Sequence, residues 1–285
     1  MAAEKETMME GKVKKSFLNI LVIAIAFFAM YTVGLIYMLV LYPIIYDLVD
    51  FWIEWLIRYA VIFLIGLPIF LLISRKKESS KIGNPCKVKG SRFFKYYILS
   101  LGAANVGGLI GNLLISLVTG VPITEVINYF DGGTTLGATL FLCLVPPIIE
   151  ELFFRRILLK KLIPFGDGFA ILGTAIAFSI YHTLLTHAQI IHIFLLGVLF
   201  SYVALRTKSI FITIALHSLV NLWSTFIGRI ALLLPDPIPV FAPTLILPVM
   251  ISFIVIVLVN RKKIIATIKG IFCNRPIDPL SQILS

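Results

Sequence analysis

A chain of 285 residues with 59% hydrophobic and 14% charged side chains, at a mean hydropathy of +1.02, is too apolar for an ordinary soluble domain, which runs near half apolar and about a quarter charged. The composition points instead to an all-α polytopic membrane protein. A net charge of +11 needs no nucleic acid to explain it, because cytoplasmic loops of such proteins collect Lys and Arg, and these attract anionic lipids.

Hydrocarbon about 30 Å thick takes roughly 20 apolar residues per helix. Runs of that kind predict eight spans, at Phe17 to Tyr42, Phe51 to Ser74, Tyr96 to Val118, Thr134 to Leu159, Phe169 to Thr186, Ile190 to Leu205, Ile210 to Ile230 and Phe241 to Asn260. The first run is too long for a signal-peptide core and reads as an anchor. The organisation expected is a cytoplasmic segment 1–16, N-terminal spans over 17–133 with a basic loop at 75–95, a polar-bearing core at 134–228, a last loop and helix at 229–260, and a basic cytoplasmic tail at 261–285.

Charge supports that order. With both termini inside, the inner segments collect Lys5, Lys12, Lys14 and Lys15, the loop Arg75 to Lys95, then Arg155, Arg156, Lys160, Lys161, Arg206 and Lys208, and finally Arg261 to Arg275. The outer loops hold Asp47, Asp50, Glu125, Asp131 and Asp236. Only Arg58 and Arg229 break the alternation, and Glu54, four residues before Arg58, can pair with it at the outer interface. Cys86 and Cys273 fall in cytoplasmic stretches and Cys143 within a span, so no disulfide framework is expected. The glycines between Gly102 and Gly111 suit close helix packing, and Asn105 and Asn112 beside them suit hydrogen bonds between helices.

An ionisable or strongly polar group at bilayer depth costs several kcal/mol and marks a bundle interior or a wet cavity. Glu150 and Glu151 in the fourth run, His182 in the fifth, and His217 and Asn221 in the seventh are such groups. Pro146 and Pro147 precede the two acids, and backbone groups freed by proline are tolerated in a membrane where protein satisfies them. Glu151 and Arg155 share a helix face and can neutralise one another, which leaves Glu150, about 100° around the helix, for chemistry. His217 and Asn221 are four apart, on one face. His187 is expected to cap the turn between the fifth and sixth runs, and His192 to serve packing. Counted from the cytoplasmic side, His182 falls nearer the outer half than His217 unless its helix begins around Gly166 to Gly168.

Taken in order, Glu150-Glu151-x-x-x-Arg155, Phe178-x-x-x-His182 and His217-x-x-x-Asn221 resemble the motifs of the CPBP (Abi) intramembrane endopeptidases, which include the type II CAAX prenyl endopeptidases. The likeness covers roughly Leu136 to Trp223, with Gly197 to Ala215 resembling the link into the last motif. It implies a bundle of about eight spans whose cavity opens to the cytoplasm, in a bacterial plasma membrane, acting on a membrane-embedded or lipidated peptide. It also implies that Glu150 and His182 activate a water, while His217 and Asn221 hold the oxyanion. Glu151, Arg155 and Phe178 support them. Arg156 departs from the glycine that many relatives carry there. No cofactor is favoured. Zinc held by Glu150, His182 and His217 is the alternative, although the H-E-x-x-H helix of zinc proteases is absent. A proton-coupled transporter and a non-catalytic membrane or bacteriocin-immunity protein are the rival classes.

Overall fold

The computed structural model describes residues 2–75, 84–120, 136–183, 190–233 and 246–272. His187, Glu125, Asp131, Asp236, Cys273, and residues 76–83 of the basic loop lie outside them. Among the described residues every regular element is helical, as a bilayer requires, since a helix satisfies its own backbone polar groups. Two compact units form, one from Met1–Ser80 with Lys161–Phe165, the other from Lys81–Lys160 with Gly166–Ser285.

In the first unit, α1 (Ala2–Ile36) passes through a π-helical turn at Tyr37–Leu41 into α2 (Tyr42–Ile45), and α3 (Phe51–Val61) through a second at Ile62–Gly66 into α4 (Leu67–Ser74). Pro43 and Pro68 stand just after these turns. Each lacks the N–H that would pair with the carbonyl four residues back, Leu39 or Leu64, and a wider turn keeps the ring clear of that carbonyl. The Glu54–Arg58 pair forms as its spacing suggested, and it is buried. Arg58 donates to Glu54 Oε1 from Nε at 3.0 Å and from Nη2 at 2.7 Å, and the Tyr37 hydroxyl donates to the same oxygen at 2.8 Å. The Arg58 guanidinium lies over the rings of Trp55, Tyr42 and Tyr37 at 4.9, 5.5 and 5.9 Å. Aromatic faces and a phenol thus replace water around a charge pair.

The second unit contains α5 (Gly90–Thr119), α6 (Leu136–Glu151), a π-helical turn at Leu152–Leu158 leading into α7 (Leu159–Leu162), of which Lys161 and Leu162 count with the first unit, then α8 (Asp167–His182), α9 (Ile190–Thr207), α10 (Ile210–Leu233), α11 (Leu247–Val259) and α12 (Arg261–Phe272). Helix α5 ends at Gly120, whose φ of 72° is the left-handed conformation that closes a helix cheaply only without a side chain. Helix α9 packs on α8 and α5, and α10 on α6, around a core that includes Tyr96, Leu101, Phe200, Leu216 and Val249. Glycines let the backbones meet. A Cβ on Gly107 would lie 2.5 Å from the His192 Cα, one on Gly197 would lie 3.0 Å from the Ala175 Cα, and one on Gly102 would overlap the Phe253 ring. His192 accordingly marks a packing contact. Asn105 departs from its expected role between helices, since its amide donates to the Leu101 carbonyl of its own helix at 2.9 Å.

Among the described residues, five helices are long and apolar enough to cross a membrane by length and composition: Val13–Ile45, Trp52–Ser74, Gly90–Thr119, Ile190–Thr207 and Ile210–Ile227. Three of the expected runs are absent from that set for readable reasons. The run holding α6 carries two acids and two arginines, α8 has 16 residues, and α11 has 13. Large apolar side chains such as Leu39, Leu64, Phe211 and Leu258 are exposed, the surface lipid would cover. The molecule is a polytopic all-α integral membrane protein.

Candidate active site

All the site residues named from the sequence lie in the second unit. Glu150 and Glu151 end α6, just before the π turn that carries Arg155. His182 is the last residue of α8, and His217 and Asn221 lie one turn apart on α10. Helix α8 begins at Asp167, after Gly166 at φ 108°. A β-carbon at Gly166 would strain that start, and from their separate helices His182 and His217 both reach toward Glu150.

Two consecutive glutamates point in different directions along a helix, yet both reach His217. Glu151 Oε1 lies 3.1 Å from His217 Nδ1, and Glu150 Oε2 lies 3.9 Å from His217 Nε2. On its other side Glu150 Oε2 stands 3.5 Å from His182 Nε2. An ionised carboxylate only accepts, so Nδ1 of His217 carries the hydrogen of the Glu151 contact. The Phe178 carbonyl, 2.8 Å from His182 Nδ1, sets that ring the same way. Both imidazoles therefore turn Nε2 toward Glu150, across gaps longer than a direct hydrogen bond.

Beneath this group, Arg155 Nε is 3.2 Å from Glu151 Oε2, with both side chains essentially sealed from solvent. The guanidinium is walled by Phe178, Phe200 and Phe154 at 4.6, 5.7 and 5.8 Å from their ring centres. The Phe178 ring also meets His182 at 4.4 Å and His217 at 5.9 Å, while Phe200 flanks His217 at 5.2 Å. Phe178 was legible from its motif. Phe154 and Phe200 were not, because an aromatic inside an apolar run carries no local mark. Arg156 is exposed, away from this wall.

Asn221 has its partner outside the group of acids and histidines. Its Nδ2 donates to the Leu142 carbonyl at 3.1 Å, and the second hydrogen of that amide is the one left for an incoming group. Among the described residues no three His, Cys, Asp or Glu side chains are disposed to hold a metal ion. The set has the chemical parts of a water-activating site: a carboxylate, two imidazoles of fixed orientation, an amide donor and a neutralised acid–arginine pair beneath.

No curated protein and no solved structure matches the chain. A family model does. It is described as Rce1-like, type II CAAX prenyl endopeptidase Rce1-like, and it matches residues 132–223, a stretch that contains every one of the motif residues. That agrees with the likeness read from the three motifs: residues 132–223, close to a third of the chain, are similar to the Rce1-like, type II CAAX prenyl endopeptidase family.

Proposed function

We propose that the protein is an intramembrane endopeptidase that hydrolyses a peptide bond of a membrane-embedded or lipidated peptide. The observation that carries this reading is the convergence of His182 Nε2 and His217 Nε2 on one oxygen of Glu150, at 3.5 and 3.9 Å, with both Nδ1 atoms already engaged. Amide hydrolysis needs a base for water, donors for the tetrahedral oxyanion and a proton for the leaving amine. Glu150 takes a proton from water as the hydroxide adds to the carbonyl. His182 positions that water, takes the proton from Glu150 at Nε2 and passes it to the departing nitrogen, so that carboxylate and imidazole end as they began.

His217 lies between two carboxylates, Glu151 at Nδ1 and Glu150 beyond Nε2. As an imidazolium it donates at both nitrogens, and Nε2 then serves the oxyanion. Charge counting supports the assignment. Two acids against one arginine leave one negative charge in an apolar interior, and a single further proton within the Glu150, His182 and His217 group brings the sum to zero. Glu151 and Arg155 keep the geometry.

The finer parts of the proposal follow the charge pattern and the family likeness. The termini, the loop at 75–95 and the mouth of the site face the cytoplasm of a bacterial plasma membrane, and the basic segments hold anionic lipids. The metal-free route is favoured. Comparing membrane peptides by mass spectrometry in cells carrying the wild-type chain or Glu150→Gln tests the reading. The expected result is a set of uncleaved peptides that accumulates only with Glu150→Gln; identical peptide sets refute hydrolysis, and solute flux that survives the substitution favours a transporter. Stoichiometric zinc in the purified protein, with loss of cleavage on chelation and recovery on zinc return, would replace the metal-free route by the zinc one.

A further inference from the structure

Pro146 and Pro147 lie inside α6 and are buried, and the helix continues through both of them. Proline has no N–H, so Pro146 leaves the carbonyl of residue 142 without its partner in the helical ladder. In hydrocarbon no water replaces that partner. The carbonyl that Asn221 Nδ2 reaches, at 3.1 Å, is that of Leu142. One helical turn beyond Pro146 stands Glu150, and one turn before Asn221 stands His217. The amide of α10 therefore occupies the place of the hydrogen bond that proline deleted, at the root of the turn that presents the acid.

We propose that Asn221 is a positioning residue: its amide stands in for the missing N–H of residue 146 and so fixes the proline-broken turn from which Glu150 faces His182 and His217. This rests on the endopeptidase reading for its catalytic consequence, but the clamp itself does not. The arrangement also explains why the polar residue at this place is an amide rather than an acid. An ionised carboxylate cannot donate to a carbonyl, whereas Asn offers two N–H hydrogens, one for Leu142 and one to spare.

Restoring the backbone donor provides the test. Asn221→Ala, Pro146→Ala and the double variant are compared in the full-length chain, with Glu150→Gln as the inactive reference. Activity is read from the host-cell membrane peptides that Glu150→Gln leaves uncleaved, and stability from melting of the purified protein in detergent. With Pro146 present, Asn221→Ala is expected to slow cleavage about 100-fold, the size of effect that a misplaced catalytic group produces, and to lower the melting temperature. In the Pro146→Ala background a backbone N–H returns to the Leu142 carbonyl, and Asn221→Ala should then cost only a few-fold in rate and little in melting temperature.

Equal losses in both backgrounds, in rate and in melting, overturn the proposal and leave Asn221 to act by direct contact with the reacting carbonyl. A restored melting temperature with an unrestored rate overturns the positioning role while keeping the clamp. If Glu150→Gln changes no peptide, the endopeptidase reading has failed, and the melting comparison alone then decides whether Asn221 replaces the proline's missing donor.

Discussion

Glu151 divides its two oxygens between partners that the chain places far apart: Oε2 faces Arg155, four residues on, and Oε1 holds His217, 66 residues on. Spacing along one helix made the first partner readable. The second depends on how α10 packs against α6, for which a single sequence holds no local signal. The two acids should separate by experiment. Glu151→Gln leaves Arg155 as a buried charge without its counter-ion and is expected to cost about 3 to 5 kcal/mol, seen as a lowered melting temperature in detergent. Glu150→Gln, which leaves the Glu151–Arg155 pair in place, should melt much closer to wild type while losing cleavage. Similar melting of the two variants would mean that the Glu151–Arg155 pair does not hold the site together.

Helix positions were largely legible, their ends less so. Each apolar run coincides with a helix among the described residues, because hydropathy and a bilayer's thickness fix where helices sit. The run expected at Phe169 to Thr186 is a helix at Asp167–His182, since Gly166 permits an earlier start and an acid at the first turn complements the helix dipole. The π turns left no trace in periodicity, although the prolines that follow two of them were in view. Glycine packing gives a test at this scale. Gly107 meets the His192 backbone, whereas a Cβ on its neighbour Gly108 meets nothing within 4 Å. Gly107→Val should therefore push α9 from α5 and reduce the yield of folded protein, while Gly108→Ala should be tolerated. Size-exclusion profiles of the two variants in detergent distinguish them, and matching profiles would contradict the close approach.

At the scale of the molecule, the whole candidate site falls within one of the two units, as does the family match apart from Lys161–Phe165, and the buried Glu54–Arg58–Tyr37 cluster belongs to the other. Both charged clusters follow one rule, an i, i+4 acid–arginine pair sealed by aromatic rings. Only the pairing, not the burial, could be read from spacing. The proposed orientation has its own test. Cys86 is half-buried in the segment expected to face the cytoplasm. In a chain with Cys143 and Cys273 replaced by serine, a membrane-impermeant thiol reagent should label Cys86 in inside-out vesicles and spare it in right-side-out ones. The reverse pattern would invert the topology.

The widened turn at Leu152–Leu158 has a genetic corollary. A π bulge is in effect one residue more than a regular helix would use, and the wide turn absorbs it, so removing a single codon between Glu151 and Arg155 would straighten the rod and leave the helix beyond close to its old direction, while moving Arg155 from the fourth to the third place after Glu151. Such a deletion outside Arg155 would keep every motif residue in the translated product, and a pattern search tolerant of one gap would still accept it. The Arg155 guanidinium would nonetheless approach Glu151 from a different direction.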